Sequence, residues 1–468
     1  METNMKFNLP KKIFKAENVE NPKALLNKKT LQIGLNETDC ADVSEGSFII
    51  LDYGVETRGG IRILTFLAEN ARARIRFGES VAECCAEIGE KNATNDHSPR
   101  DFETILPAYS DLTLGGTGFR FVRIDILEGW AKIKNVYAAS EILTKKQIYG
   151  YKGEDKEIDK IFKVAKRTVD LCAYGGRVWD GIKRDRLIWI GDMHPESMAL
   201  ATLYGRIECV ENSLDIVRDE YPLPLWMNNF PSYSMWWVII LADYYANTGC
   251  RDYLEKQGEY LSGLVELMNE HVDETGEMHY PDYFADWPTY KTDAAVGGVR
   301  AINIAAAKKA AAMLRELDMD DSSAKRLLAK LMKKEIVTSG RKQIIGLKHY
   351  ATGELSEEEK AALVEGGARG MSTFMSYYIL SAIASFDKEK AVEIMKEYYG
   401  AMLSRGATSF WEDFNMDWLE GSGRIDKLPK KNQKDIHGDY GAFCYEGFRH
   451  SLCHGWSAGV IPFINENL

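Results

Sequence analysis

The spacing of hydrophobic residues changes near residue 150, and this change most constrains how the chain can fold. Before it, apolar and polar residues alternate, as in "ARARIRF" (71–77). A period of two predicts strands with one buried and one solvated face. After it, apolar residues recur at helical spacing, first over 153–173. We therefore predict a multidomain β + α chain, with a β domain over 1–148 and a helical domain over 149–468.

The first part is predicted to be an antiparallel β-sandwich, because short strands follow one another at close spacing. The predicted strands are 47–54, 59–69, 71–80, 118–130 and 131–142. The segment 87–110 is rich in Asn, Asp and Ser, and we predict a long loop there.

The second part is predicted to be a toroid of paired helices. About a dozen helices are predicted, joined by loops with Gly, Pro or acidic residues. Examples are 153–173, 197–218, 234–249, 254–270, 299–316, 322–334, 356–366, 371–386 and 388–403. A solenoid is disfavoured because no short-period repeat is visible. In a toroid, loops at one end of the helix pairs can converge on a single cleft.

Composition and charge exclude several classes of function. The net charge is −11 without a basic cluster, so no nucleic-acid partner is expected. No apolar run approaches the roughly 18 residues that span a bilayer, and the N-terminus lacks the apolar core of a secretory signal. The eight cysteines contain no C-x-x-C pair, which indicates neither a zinc site nor a disulfide framework. We expect a cytoplasmic protein with reduced thiols and no membrane partner.

Acidic and aromatic residues concentrate in several loops of the helical part. These loops are 180–192, 222–237, 279–290, 406–418 and 451–459. The chain has 10 Trp and 23 Tyr. Aromatic faces stack on the C–H surfaces of sugars, although a large barrel also buries many aromatic residues. The pattern indicates a carbohydrate cleft if the toroid brings these loops together.

Asp185 and Glu412 form the most natural pair of acids, on loops that are 412 − 185 = 227 residues apart. Two acids over aromatic platforms suit glycosidic hydrolysis. One carboxylic acid protonates the leaving oxygen, and a second carboxylate activates water or attacks directly. The flanking arginines tend to hold Asp185 ionised, and Asp180 and Asp192 can supply the opposing charge.

Each candidate also has an ordinary structural interpretation, and both interpretations stay open here. Asp192 precedes "MHPES", so it is also a candidate helix N-cap. Trp189 lies in the apolar run "LIWI" and suits a core equally well. Trp236 and Trp237 are adjacent, so they are not both expected to face one cleft. Ordinary roles for the others are ion pairs for Arg184 and Arg186, a surface acid for Glu412 and a structural histidine for His454.

The run from Asp180 to Asp192 resembles the acidic signature of the family 78 α-L-rhamnosidases. In that signature an Asp is followed five residues later by the general acid, and a Gly-Asp pair ends it seven residues past the acid. This chain keeps the spacing at Asp180, Asp185, Trp189, Gly191 and Asp192. The common pattern reads Asp-Glu in the middle, whereas this chain reads Arg184-Asp185. The shorter Asp therefore stands at the acid position.

Other segments resemble the family in the same order along the chain. They are "DYGVETRGGIRI" (52–63), "FADW" (284–287), "GATSFWEDF" (406–414) and "SLCHGW" (451–456). The resemblance extends over residues 45–468 and implies a β-sandwich that leads into an (α/α)6 barrel. The chain ends soon after His454, so we expect a compact form without the C-terminal β domain that many members carry.

The resemblance also implies a function, inverting hydrolysis of terminal α-L-rhamnosides, with Asp185 as general acid and Glu412 as general base. The residues that it implies for binding sugar hydroxyls and orienting the carboxylates are Asp180, Arg184, Asp192 and His454. The residues that it implies for an apolar pocket around a 6-deoxy sugar are Trp189, Trp236, Trp287 and Trp411. No metal or organic cofactor is required. The expected substrate is a small oligosaccharide or plant glycoside, and the expected assembly is a monomer or homodimer.

Two alternatives stay open. The chain could be another glycosidase or a lyase on the same toroid that acts on a different sugar, such as an unsaturated uronide. Arg184 or Arg186 would then bind the uronide carboxylate. It could also be a non-catalytic sugar-binding protein, an alternative that the Arg184-Asp185 departure keeps open.

Overall fold

The computed structural model describes residues 3–468 and begins with an antiparallel sheet. Its strands are β1 (Thr3–Asn8), β2 (Lys12–Glu17), β3 (Ala41–Ser44), β4 (Phe48–Gly78), β5 (Asp101–Ile105) and β6 (Ser110–Leu143). The hydrogen-bonded order is β1-β6-β4-β2, with β3 paired to β6 and β5 paired to β4. The predicted antiparallel β part at the N-terminus is confirmed.

Two long, bent strands form most of this sheet. Strand β4 has 31 residues and β6 has 34. Asp125 of β6 pairs with both Phe48 and Arg74 of β4, and Ile61 of β4 pairs with both Leu114 and Ala138 of β6. Each long strand therefore pairs with the other along more than one segment. The five predicted strands are segments of these two long strands.

The alternation in "ARARIRF" has the predicted effect, with one exception. Ala71, Ala73, Ile75 and Phe77 are buried in the β core. Arg76, on the other face, is also buried. Ion pairs with Glu87 and Asp125 compensate its charge.

The prediction of a long loop over 87–110 is corrected. This segment contains β5, which pairs with residues 72–76 of β4. Acidic residues of β5 pair with the arginines of β4, for example Glu103 with Arg72. A strand whose side chains are this polar lacks the apolar alternation by which a strand is detected.

A helical body follows the sheet. The short helix α1 (Val81–Cys85) lies earlier, between β4 and β5. The helices of the body are α2 (Lys156–Cys172), α3 (Met193–Tyr204), α4 (Glu208–Glu220), α5 (Pro231–Thr248), α6 (Arg251–Glu270), α7 (Asp293–Glu316), α8 (Ser322–Leu331), α9 (Lys342–Thr352), α10 (Glu357–Val364), α11 (Ser376–Ala384), α12 (Lys388–Ser404) and α13 (Val460–Asn467). Two-residue strands pair as β7 (Ala173–Tyr174) with β8 (Arg177–Val178) and β9 (Gly441–Ala442) with β10 (Tyr445–Glu446). None of the helices within residues 3–468 is long and apolar enough to cross a lipid bilayer.

The odd-numbered helices from α3 to α13 pack on one another in sequence. Contacts run from α3 to α5, α7, α9, α11 and α13, and α13 also contacts α3. Their burial agrees with an interior position. Twelve of the 18 residues of α5 are buried, against five of the 13 in α4. A helix that is buried on most sides lies inside, whereas a helix with one buried face lies outside.

The connections that lead into the odd-numbered helices are the long ones. They are 173–192, 221–230, 271–292, 332–341, 365–375 and 405–459. The connections that leave these helices are short, for example 205–207 and 249–250. The long connections contain four of the five loops that the sequence marks as rich in acids and aromatics, and the remaining one, 222–237, continues into α5, which begins at Pro231. A helical body is confirmed, and its closure into an (α/α)6 barrel stays a prediction.

One helix prediction is corrected, and two helices lie outside the named examples. The predicted helix 197–218 is two helices, separated at Gly205, which has a φ of 67°. Helix α9 lies outside the named examples, and Gly346 interrupts its apolar pattern. A Cβ at Gly346 would lie 3.0 Å from backbone atoms of Tyr378 and Ile379 in α11, so the glycine permits close contact between the two helices. Helix α13 also lies outside the named examples.

Candidate active site

A cavity of about 250 Å³ lies among the long connections. Its lining consists of Asp180, Arg184, Asp185, Trp189, Asp192, Phe230, Tyr233, Phe284, Trp287, Glu412, Cys444, His454 and Trp456. Eight of the ten residues predicted for the site are in this lining. The fold therefore brings together side chains from connections that are more than 200 residues apart in the sequence.

A tight turn presents Asp185. Asp185 and Arg186 have φ values of 49° and 52°, in the left-handed region that non-glycine residues seldom adopt. The turn is closed by Asp180, whose N–H donates to the carbonyl of Leu187 and whose Oδ1 accepts the Leu187 N–H at 3.0 Å. Asp180 thus supports the backbone that carries the predicted acid.

The carboxylate of Asp185 is held by neighbours on both oxygens. Arg184 Nη1 donates to Oδ1 at 2.8 Å, and Trp189 Nε1 donates to Oδ2 at 3.3 Å. His97 Nε2, from the N-terminal part of the chain, lies 3.4 Å from Oδ1. The Asp185 side chain is 20% exposed, so this acid is partly in contact with solvent.

The carboxylate of Glu412 is buried, with a side-chain exposure of 4%. Arg184 Nη2 donates to Oε1, and the Ser451 N–H donates to Oε2 at 3.0 Å. Burial raises the pKa of Glu412, and the negative charge of Asp185 adds to the rise. The Arg184 guanidinium and the Ser451 N–H act in the opposite direction and lower this pKa. The net direction is upward, and Arg184 is the cation that most favours the ionised form of this buried acid.

Arg184 therefore connects the two predicted catalytic carboxyls. Its guanidinium bonds Asp185 with one terminal nitrogen and Glu412 with the other. Its Nε donates to the carbonyl of Arg449 at 3.0 Å. The ion-pair interpretation of Arg184 is correct, and the pair lies inside the cavity.

Asp180, Asp192 and His454 face one another at the inner end of the site. His454 Nε2 lies 4.0 Å from a carboxylate oxygen of each of Asp180, Asp192 and Glu412. These separations exceed a hydrogen bond, so the polar atoms surround a space that a ligand hydroxyl can bridge. Burial raises the pKa of Asp180 and Asp192 well above the ordinary value, and their negative neighbours add to the rise. Burial and Arg184 lower the pKa of His454 well below its ordinary value, which leaves a neutral imidazole.

Asp192 occupies the N-cap position of α3 but does not cap it through its side chain. Its Oδ1 instead accepts a hydrogen bond from the Tyr233 hydroxyl at 3.0 Å. The side chain therefore faces the cavity, as expected for a residue that binds a sugar hydroxyl.

The predicted tryptophans divide into two groups. Trp189 and Trp287 line the cavity, and Trp287 stacks on Phe443 with 5.6 Å between ring centroids. The predicted place of Trp236 and Trp411 in the pocket wall is corrected, since neither is in the lining. Trp236 is 1% exposed and stacks on His194, and Trp411 is fully buried. Both rings fill the core between helices.

Five lining residues were not named from the sequence. They are Phe230, Tyr233, Phe284, Cys444 and Trp456. All except Cys444 lie within loops that the sequence marks as rich in aromatics. The missing information was which aromatic in each loop points inward. Cys444 lies between β9 and β10, a segment that carried no sequence signal.

The fold is that of the α-L-rhamnosidases. No family model matches the chain, and no curated protein sequence matches it. The resemblance to family 78 is confirmed at the level of the fold by solved structures.

Two of these structures show the extent of the match. A rhamnosidase from Klebsiella oxytoca with rhamnose bound matches with a TM-score of 0.73 at 17% identity, over 99% of this chain and 96% of that one. A family 78 rhamnosidase of Bacillus sp. GL1 matches with a TM-score of 0.68 at 17% identity, over 96% of this chain and 49% of that one. The chain thus spans nearly all of the first protein and about half of the second.

Proposed function

We propose that the protein is a glycoside hydrolase that removes terminal, non-reducing α-L-rhamnose by an inverting mechanism. The observation that carries this proposal is the meeting of Asp185 and Glu412 in one cavity, connected by Arg184. The fold shared with rhamnosidases, one of them solved with rhamnose bound, supports the choice of sugar.

The proposal also covers the fold of the chain, its substrate, its location and its assembly. The β part, 1–148, is a β-sandwich, and 149–468 is an (α/α)6 barrel. The sequential contacts of α3 to α13 support the barrel, as do the long connections that lead into these helices. The substrate is a small oligosaccharide or plant glycoside in the cytoplasm, and the protein acts as a monomer or homodimer.

In the proposed reaction Asp185 gives its proton to the glycosidic oxygen as the bond from that oxygen to C1 breaks. Glu412 takes a proton from a water molecule that attacks C1 from the opposite face. The products are an alcohol and rhamnose of inverted configuration. The two carboxyls of an inverting enzyme stand about 6.5–9.5 Å apart, which leaves room for the water.

The chemistry of the lining suits a 6-deoxy sugar. Asp180, Asp192 and His454 present polar atoms to the hydroxyls at the inner end of the cavity. Aromatic rings form much of the remaining wall, including Trp189 and Trp287. A methyl group at C6 needs an apolar wall and no hydrogen-bond partner.

The geometry gives less support to a uronide substrate, which needs a cation for its carboxylate. Arg184 already bonds Asp185 and Glu412. Arg186 donates to the carbonyls of Gly116 and His97. Both arginines proposed for this role therefore have other partners.

The test is turnover of an aryl α-L-rhamnoside by wild type, Asp185→Asn and Glu412→Gln. We expect each variant to lose about 10²–10⁴-fold in kcat, the contribution of a general acid or base. NMR should show β-L-rhamnose as the first product. Near-wild-type turnover in either variant would refute the role of that residue.

A panel of other aryl glycosides tests the choice of sugar. Faster turnover of another glycoside would replace rhamnose in the proposal. Binding of rhamnose by calorimetry, without turnover of any glycoside, would identify a non-catalytic sugar-binding protein instead.

A further inference from the structure

A buried group of ionisable side chains adjoins the segments that hold Glu412. We call it the junction cluster, and its members are Glu79, Glu83, Lys183 and His437. Glu79 directly follows β4, Glu83 lies in α1, Lys183 lies in the loop of Asp185, and His437 lies in the connection to α13. Their exposures are 0%, 1%, 8% and 0%, in the same order. The cluster thus connects the sheet with two loops of the cavity.

The carboxylate of Glu79 fixes the segment that binds one oxygen of Glu412. Its Oε2 accepts the Leu452 N–H at 2.6 Å, and its Oε1 accepts the Ser451 hydroxyl at 3.2 Å. The Ser451 N–H is the donor to Glu412 Oε2 at 3.0 Å. Glu79 therefore acts on Glu412 through Ser451 without touching the cavity.

The ammonium of Lys183 fixes the segment that binds the other oxygen. It lies 3.0 Å from Glu79 Oε2 and 3.2 Å from Glu83 Oε1. It also donates to the carbonyls of Phe448, at 2.8 Å, and His450. The next residue in the chain is Arg184, the donor to Glu412 Oε1.

The junction cluster supplies its own cation. Ligand atoms of Glu79, Glu83 and His437 lie within 4.8 Å of one another, a spacing that could hold a metal ion. The Lys183 ammonium already lies between the two carboxylates. His437 is engaged as well, because its ring bonds the Ser80 hydroxyl and the His450 carbonyl.

We propose that Glu79 and Lys183 are positioning residues for the base Glu412, because each holds the segment that carries one donor to its carboxylate. This inference rests on the proposed function for its kinetic part. Neither residue lines the cavity, so their loss should affect the placement of the base more than the binding of the sugar. A displacement of about 1 Å in a reacting group lowers turnover by about 10²-fold.

The experiment compares Glu79→Gln, Lys183→Met and the double variant with wild type on an aryl α-L-rhamnoside. We expect kcat to fall by about 10–100-fold in each single variant, with KM changed by less than about threefold. The double variant should lose about as much as one single variant, because both residues act through one cluster. Glu79→Asp, which keeps the charge, should recover part of the kcat lost in Glu79→Gln.

The matched control is Glu37→Gln in the β part. This substitution removes the ion-pair partner of Lys134. The Lys134 side chain is 3% exposed, and its Nζ lies 2.6 Å from Glu37 Oε1. Neither residue lines the cavity. We expect this control to lower the melting temperature without changing kcat. A kcat for Glu79→Gln that equals the kcat of Glu37→Gln would overturn the proposal.

A crystal structure of Glu79→Gln tests the inference independently of turnover. We expect the Ser451 N to Glu412 Oε2 distance to exceed 3.5 Å, beyond a hydrogen bond. A distance that stays at 3.0 Å would overturn the proposal. Absence of turnover in wild type would refute the proposed function instead, and the crystal structure would still decide the positioning role.

Discussion

Replacement of Arg184 by methionine should destabilise the protein strongly at neutral pH and weakly at acidic pH. The guanidinium is the cation for Glu412, and the side chains of the two residues are 6% and 4% exposed. Its loss leaves a buried carboxylate without the cation that bonds it. Asp185 loses the same partner but is 20% exposed, so water replaces the arginine there at small cost.

The magnitude follows from the burial of this pair. Removal of one partner from a buried ion pair costs about 3–5 kcal/mol. The Ser451 N–H remains on the second oxygen of Glu412 at 3.0 Å. We therefore expect the lower end of that range, about 3 kcal/mol in the free energy of unfolding at pH 7.5.

The pH dependence follows from the direction of the pKa shift. Burial already raises the pKa of Glu412 in the folded protein, and loss of Arg184 would raise it further. Below the pKa of the unfolded state, about 4.3, Glu412 is protonated in both states and adds no penalty. As pH rises above that value the unfolded state releases its proton first, so the folded state loses relative stability.

The assay is urea unfolding followed by tryptophan fluorescence at pH 4.5 and pH 7.5. The matched double variant Arg184→Met/Glu412→Gln places a neutral amide in the cavity, which needs no cation. It should recover about 2 kcal/mol of the loss at pH 7.5. Equal losses at the two pH values, or no recovery in the double variant, would refute this account of Arg184.

Four further substitutions test other parts of the structure. Asp192→Asn should raise the melting temperature at pH 8. Burial raises the pKa of Asp192, so its ionisation costs stability above the pKa of the unfolded state, about 3.9. The gain in melting temperature should therefore shrink towards pH 4. Trp287→Ala should raise KM on the order of tenfold, equivalent to about 1.4 kcal/mol of lost binding, whereas Trp236→Ala should lower the free energy of unfolding by about 3–5 kcal/mol. Gly346→Ala should cost about 1–3 kcal/mol in urea unfolding, because its Cβ would lie 3.0 Å from the backbone of α11.

Much of the fold could be predicted, because local periodicity reflects burial of one face. The change of period near residue 150 separates a sheet that ends at Leu143 from a helical body that begins at Lys156. The local signal is weak where tertiary contacts replace it. In β5 the acids pair with the arginines of β4, and in α9 the glycine permits contact with α11. Neither partner is near in sequence.

The candidate site could be predicted in part, because its acids keep a recognisable spacing. The run from Asp180 to Asp192 and the segment around Glu412 reach one cavity. The direction of the tryptophans could not be predicted. Trp236 lies in α5, and Trp411 directly precedes Glu412, yet both rings point into the core. The direction of a side chain depends on which neighbours surround it.

The sequence by itself determined the order of a β part and a helical part, the loops that carry acids and aromatics, and the identity of the two candidate catalytic carboxyls. Only the tertiary structure decided that Arg184 connects these carboxyls and that Glu79 and Lys183 support the base from behind. The physical reason is distance along the chain. Periodicity and spacing describe neighbours in sequence, whereas the bond from Arg184 to Glu412 joins residues 228 positions apart. Such a contact exists only after the chain has folded.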